Sequence, residues 1–336
     1  MQAIQMHEPG GPEVLVAQTV PDPQAGPGEV VVELRAAALN RRDVFVRKGV
    51  AKLPLPLIPG SDGAGVVRHI GAGVTGLSEG DEVIILPSLS WGADQRAPGR
   101  GFRILGGPDD GTYAEMIRIP AENVYPKPAR LSWAQAAALP LAGLTAWRAL
   151  MTRARIIPGE TVLVLGIGGG VATFALHLAK AAGCRVVVTS SSDEKLARAR
   201  DLGADVGVNY ADAGDDWPRV VREANGAGVD VVIDSVGSTW AGSIDACAPG
   251  GRVVVFGGTG GAAVQLAVRP VTLGQVALLG TTMGSPVEFT RLLAAVDAQE
   301  WVPVIDSTRP LAEAAAAHER EEAGLHFGKL VLEIAT

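Results

Sequence analysis

Four glycines, Gly166, Gly168, Gly169 and Gly170, lie between an apolar run and a helical pattern, a placement that can hold a phosphate. Without Cβ atoms the backbone turns sharply there and comes close to a ligand. The helix that follows would turn free N–H groups and its positive dipole end toward the pyrophosphate of a dinucleotide. Val171 is counted with this cofactor-binding set. Ser235, Val236, Gly257, Gly258 and Thr259 follow later apolar runs, at the carboxyl ends where ligands of an open parallel sheet lie. The ribose end selects the cofactor. An acid about twenty residues beyond the glycines would bond the ribose hydroxyls of NAD. Here Ser190 and Ser191 stand at that point, with Lys195 one helical turn away. Hydroxyls and an ammonium suit a 2′-phosphate, so the expected cofactor is NADPH; Asp193 is read as a first-turn acid, favourable at a helix N-terminus.

These residues need a sheet to position them. Residues 162–165 are uniformly apolar, as in a parallel strand buried on both faces. Val171, Ala175, Leu178 and Ala182 recur at helical spacing, and residues 185–189 form a second strand. Ser191 and Glu194 then have capping-box spacing at the start of the next helix. Strands are expected again at 229–234, 252–257 and 276–280, with helices at 217–224 and 238–248, which makes an open parallel sheet. The first part of the chain reads differently. Strands at 29–35, 65–70 and 81–86, punctuated by glycines, suggest a small, partly closed barrel. Residues 88–112 have little periodicity and form a long excursion; Arg96, Arg100 and Arg103 give it a basic bias. Residues 131–151 are helical with Ser132 as cap, and a helix near 311 precedes a last strand at 329–334. Tyr113 is read as strand packing.

A chain of 336 residues suits two domains. A formal charge of −7 with 19 % charged residues argues against general nucleic-acid binding. No apolar run reaches membrane-spanning length and the Met1 start lacks a signal-peptide layout. Two cysteines, Cys184 and Cys247, are too few for a disulfide framework and suit a reducing cytoplasm. The five histidines show no metal-ligand spacing.

Six segments together resemble the medium-chain dehydrogenase/reductase superfamily over essentially the whole chain. They are NRRDVFVR at 40–47, PGSDGAG at 59–65, GDEV at 80–83, AGLTAW at 142–147, the glycine turn, and FGK at 327–329. The resemblance implies an α/β fold: a Rossmann doubly wound parallel sheet at 125–283 plus a GroES-like β-barrel domain from 1–124 and 284–336. It places Thr145 and Lys329 with the cofactor-binding residues. Zinc-bearing members carry Cys where Asn40 stands, His where Ser61 stands, and Cys or Asp near Leu141. Leucine ligates no metal, and amide or hydroxyl oxygens bind zinc poorly beside thiolate and imidazole. The excursion at 88–112 lacks the four cysteines of the family's structural zinc, so no metal is expected.

The implied activity is NADPH-dependent hydride transfer to a quinone or α,β-unsaturated carbonyl, by alignment plus a few donors at the developing oxyanion. Candidate catalytic residues are Asn40, Arg42, Asp43, Ser61 and Asp62. For Asn40 a loop-shaping amide is the alternative, for Arg42 and Asp43 an ion pair, and for Asp62 a structural hydrogen bond rather than a proton donor. Quinone oxidoreductases often have tyrosine where Phe45 stands, which leaves solvent or an arginine for the proton step. Two other readings are open: an enoyl-thioester reductase, supported by the three arginines, and an NADPH-binding sensor or structural protein that no longer catalyses. The expected assembly is a homodimer or homotetramer.

Overall fold

Val162, Leu163 and Val164 are enclosed on both faces, and the segment Thr145–Met283 assembles around them. The computed structural model describes residues 1–261, 263–299 and 301–335. They divide into this compact unit and another formed by Met1–Leu144 with Gly284–Thr336. In the Thr145–Met283 unit, the strand Thr161–Val164 pairs in parallel with Arg185–Ser190 on one side and Val229–Asp234 on the other. Val206–Asn209 extends the first side; Cys247–Val255 and Ala277–Gly280 extend the second, giving six strands, all parallel. Chain direction across the sheet therefore reverses at Thr161–Val164, the place where such sheets open a crevice for a dinucleotide. The helix Gly170–Ala181 buries Phe174, Ala175 and Leu178, as its spacing requires.

One local expectation is corrected. Ser191 does not cap the helix Asp193–Asp201; Ser192 does, its Oγ accepting from the Lys195 N–H at 3.3 Å. The Ser190 hydroxyl accepts the Ser192 N–H at 3.1 Å and tightens the chain by one residue before the helix begins.

The other unit is built on one long strand, Glu29–Ala38. Along one edge it pairs with Asp62–Ile70, while Met116–Pro120 and then Lys329–Glu333 share its remaining hydrogen bonds. Register shifts at Val31/Val32 and Leu34/Ala36 let the strand bend between these partners, as bulges do. Glu82–Ile85, Val124–Pro126 and Ile305–Pro310 complete a seven-stranded, mostly antiparallel sheet around Val30, Val32, Leu34, Val67, Ile117 and Leu332. The strands with prolines at their ends (Met116–Pro120, Val124–Pro126, Ile305–Pro310) and the hairpin Gln2–Gln5/Val16–Thr19 had no clear sequence signal. Each is short or broken by polar residues.

The compact unit runs past the expected limit at 124 to Leu144, because Val124–Pro126 pairs with Glu82–Ile85. The helical pattern at 131–151 resolves into Trp133–Ala138, Pro140–Trp147 and a wider-turned π-helical segment, Arg148–Ala154. Ser132 caps the first of these in a reciprocal capping box with Gln135. Within 88–112 only the two-residue strands Ser88–Leu89 and Arg103–Ile104 pair, and a buried Trp91 packs edge-on against Phe102. Among the described residues no helix is long and apolar enough to cross a membrane.

Candidate functional site

The glycine turn has the geometry its composition promised. Gly166 (φ +67°) and Gly168 (φ +134°) occupy conformations that residues with a Cβ adopt rarely or not at all. A Cβ at Gly166 or Gly169 would meet nothing within 4 Å, so the backbone presents an open face. Gly169 caps the twelve-residue helix Gly170–Ala181 without any side-chain cap, leaving first-turn N–H groups for a ligand. Thr189, a residue the sequence did not single out, holds the turn. Its hydroxyl accepts from Gly166 N at 3.2 Å and its carbonyl from Ile167 N at 2.8 Å. This cradle fits a pyrophosphate. Val171 lies in its first helical turn, and Thr145 is buried in the helix Pro140–Trp147.

Ser190 ends its strand, buried, and Ser191 beyond it is exposed. Asp193 opens the helix, and its carboxylate accepts from the Asn209 amide at 2.9 Å. No acid therefore occupies the strand tip itself. Lys195 is half-buried one turn along. At the neighbouring strand ends, Asp234 organises the turn that follows it. Its carboxylate accepts from Val236 N at 2.9 Å and from the Ser243 hydroxyl at 2.7 Å, and the Thr239 hydroxyl also bonds it. Ser235 and Val236 are fixed in this way, and Gly260 N donates to Val236 O at 2.7 Å. A Cβ on Gly257 (φ +73°) would approach Ser235 O to 2.9 Å, so the two turns touch through glycine. Ser235, Val236, Gly257, Gly258 and Thr259 thus form one rim.

The five candidate catalytic residues form a single buried polar cluster within the barrel unit. Asn40 begins the helix Arg41–Arg47, and Asp62 begins the strand Asp62–Ile70. The Asn40 amide donates to Asp62 Oδ2 at 2.9 Å and accepts from Lys329 Nζ at 2.6 Å. Asp62 also accepts from Lys329 at 3.2 Å and from Leu141 N at 2.8 Å. The third Lys329 proton goes to Leu39 O. Three ammonium hydrogens meet three internal acceptors at 3 % exposure, which moves Lys329 from the expected cofactor set into this cluster.

Asp43 is the second hub. It accepts from Asn40 N at 2.9 Å, the Ser61 hydroxyl at 3.2 Å and the Tyr113 hydroxyl at 3.2 Å, and lies 3.5 Å from Arg42 Nη1. Arg42 Nη1 in turn donates to Ser61 Oγ at 2.6 Å and to Leu105 O at 2.7 Å. Tyr113 is therefore more than strand packing: its hydroxyl ties Asp43 to the buried His318, whose Nε2 is 3.3 Å away. No sequence spacing signals contacts between residues this far apart along the chain.

Burial sets the electrostatics. It pushes the carboxyls of Asp43 and Asp62 upward, opposed chiefly by the Arg42 and Lys329 charges respectively. Burial and the Asp43 charge hold the Tyr113 phenol well above its ordinary value. Desolvation lowers Arg42, with Asp43 opposing it. His318 is pushed down to about 3 by burial and then by Arg47, so it is neutral. In the excursion, Arg96 is spent on Asp94 at 2.9 Å and Arg103 on Asp109 at 2.7 Å, which weakens the case for a basic patch.

Two domain descriptions match this chain: an alcohol dehydrogenase GroES-like domain over residues 26–129 and a zinc-binding dehydrogenase over residues 170–298. A zinc-type alcohol dehydrogenase-like protein of Schizosaccharomyces pombe is 36 % identical, covering 92 % of this chain and 91 % of its own. The quinone oxidoreductase of Rattus norvegicus is 32 % identical over 95 % and 93 % of the two chains. The crystal structure of an NAD-dependent alcohol dehydrogenase superposes with a TM-score of 0.93 at 42 % identity, covering 100 % of both chains. The zinc that one domain description implies does not suit the residues present. Both ends of the Asn40 amide are engaged, Ser61 Oγ is held by Arg42 and Asp43, and Leu141 offers only a backbone N–H. Among the described residues no group of three or more His, Cys, Asp or Glu could hold a metal ion.

Proposed function

The chain belongs to the medium-chain dehydrogenase/reductase superfamily, and from that premise we propose a zinc-independent, NADPH-dependent reductase of quinones or α,β-unsaturated carbonyls. Membership makes it an oxidoreductase that uses a nicotinamide cofactor and a small-molecule substrate. One observation carries the finer reading: the three positions that hold zinc ligands in metal-bearing members are neutral here and already bonded to internal partners. Without a Lewis acid, alkoxide stabilisation for alcohol oxidation is lost, and acceptors whose conjugation spreads the incoming charge are favoured.

The bound nicotinamide supplies the hydride. The glycine turn and the N-terminus of Gly170–Ala181 would bind its pyrophosphate, and the rim at Ser235, Val236, Gly257, Gly258 and Thr259 would border it. Ser190, Ser191 and Lys195, with Asp193 diverted to Asn209, support a 2′-phosphorylated ribose. The Asn40–Asp62–Lys329 and Asp43–Ser61–Arg42 groups would keep the substrate side rigid and exclude water. Two buried free cysteines suit a cytoplasmic enzyme, and the resemblance favours a homodimer or homotetramer.

Steady-state oxidation of NADPH with 1,4-benzoquinone and with an alkyl enone tests this reading. Turnover well above the uncatalysed rate, in protein that elemental analysis finds free of stoichiometric zinc, is expected. Tight NADPH binding with no turnover would instead favour the non-catalytic binder, and one zinc per chain would overturn the metal-free assignment.

A further inference from the structure

One member of the buried cluster keeps a way out to solvent. Asp43, Ser61, Asp62 and Lys329 are almost wholly enclosed, whereas the Arg42 side chain is 20 % exposed. Its donors are spent unevenly. Nη1 donates to Ser61 Oγ at 2.6 Å and Leu105 O at 2.7 Å, which accounts for both of its hydrogens. Nη2 has a single long bond, 3.4 Å to Gly107 O; every other bond the guanidinium makes among the described residues, a 3.5 Å contact to Asp43 included, comes from Nη1 and none from Nε. A guanidinium carries five N–H groups in a rigid fork. The Nε–H and one Nη2–H are therefore left over, and the Nε/Nη2 side of a guanidinium is an edge that can grip an oxygen bidentately.

The rest of the side chain is immobilised. Ser61, which holds Nη1, occupies the position of a zinc-ligating histidine in metal-bearing members, and Asp43 behind it is fixed by Asn40 N and the Tyr113 hydroxyl. A cation held rigidly in a desolvated shell stabilises developing charge without reorganising at the moment of reaction. Phe45, standing where related enzymes have a tyrosine, leaves no phenol at that point to compete for the role.

We propose that Arg42 is the electrophilic group of this site: its free Nε–H and Nη2–H receive the substrate's carbonyl oxygen and stabilise the negative charge that oxygen gains. This deepens the reductase reading and rests on it. In an enone, a C–H bond forms at the β-carbon from the hydride pair as the C=C π bond breaks, and the carbonyl π pair settles on oxygen as an enolate. The acceptor is reduced by two electrons, the dihydronicotinamide is oxidised, and the α-carbon then takes a proton from solvent. The substrate class is thus a conjugated carbonyl whose oxygen can reach the guanidinium edge.

Two measurements on the full-length protein test this. In the first, kcat and KM for an alkyl enone are compared between the wild type and Arg42→Gln and Arg42→Lys, with thermal melting and nucleotide affinity as folding controls. A loss in kcat/KM of about a hundredfold, mostly in kcat, is expected for Arg42→Gln. The charge-keeping Arg42→Lys should fall between. In the second, 4-nitrophenol is titrated spectrophotometrically against protein saturated with oxidised nucleotide, which needs no turnover. Bound to the wild type it should ionise about one pH unit below its value in solution; in Arg42→Gln that shift should vanish. A wild type that leaves the phenol's titration unmoved, or an Arg42→Gln that keeps full kcat/KM, overturns the assignment while leaving the reductase reading intact. A clear phenolate shift without turnover of any quinone or enone sinks the reductase reading and keeps Arg42 as an anion-binding group.

Discussion

His318 shows how burial converts an ordinary residue into a pH-dependent one. It is fully enclosed, packs edge-on against Tyr113 at 5.8 Å, and stays neutral because its folded value lies near 3 rather than 6.5. A group whose folded pKa is depressed contributes stability that is complete above its unfolded pKa and is lost as pH falls toward the folded one. Between pH 6.5 and about 3, the neutral imidazole therefore withdraws about 1.4 kcal/mol of stability per pH unit. The raised carboxyls of Asp43 and Asp62 act in the opposite sense at the acid end, so the difference between variants is the decisive quantity. His318→Gln should flatten the fall of urea-unfolding free energy between pH 6.5 and 4.5 relative to the wild type; parallel curves would refute the assignment to His318. The sequence showed the histidine but not this behaviour, since Tyr113 and Arg47 come to it from distant points of the chain.

Among the elements, the second βα junction separates two serines that look alike on paper. Ser192 Oγ satisfies a backbone donor at the head of Asp193–Asp201, whereas Ser191 is exposed just beyond the strand tip. Ser192→Ala should lower stability by about 1 kcal/mol with little change in the ratio of NADPH to NADH affinity. Ser191→Ala should do the reverse, lowering that ratio and leaving the melt unchanged. Calorimetric binding of both nucleotides to both variants, with thermal melts, reads the contrast. If the two variants behave alike, the distinction between cap and ribose contact is wrong. The element itself was legible because alternation of apolar runs, glycines and helical spacing is local; which serine caps was not, because the Ser190 side chain, not the motif, sets where the helix starts. The prolines that end Met116–Pro120 and Val124–Pro126 hid those strands for a similar reason. A strand that tolerates proline at its end depends on partners far away in sequence.

For the molecule as a whole, the proposed zinc independence predicts indifference to chelators. Zinc in metal-bearing structures contributes binding energy to folding, whereas Lys329 here neutralises Asp62 from within the chain. Prolonged dialysis against EDTA should leave both the melting temperature and NADPH-dependent turnover unchanged. A drop in either, reversed by added zinc, would show that a metal contributes after all. The same pairing explains why the barrel unit is discontinuous: Lys329 and the strand Lys329–Glu333 return from the far end of the chain to Ala36–Ala38 and to Asp62.

By itself the sequence determined five of the six strands of the parallel sheet, all but the short Val206–Asn209, and the glycine turn. Through the family resemblance it also determined the departure from zinc-ligand residue types at Asn40, Ser61 and Leu141. Each of these is written in adjacent residues, as an apolar run, a glycine spacing or a side-chain type. Only the tertiary structure decided what the exchanged residues do instead. Asn40 meets Lys329, Asp43 meets Tyr113, and Arg42 is clamped by Ser61 and Leu105 through bonds that no local pattern encodes. Hydrogen bonding at close range is selected by burial, where an unmatched polar group is costly, and burial is a property of the folded chain.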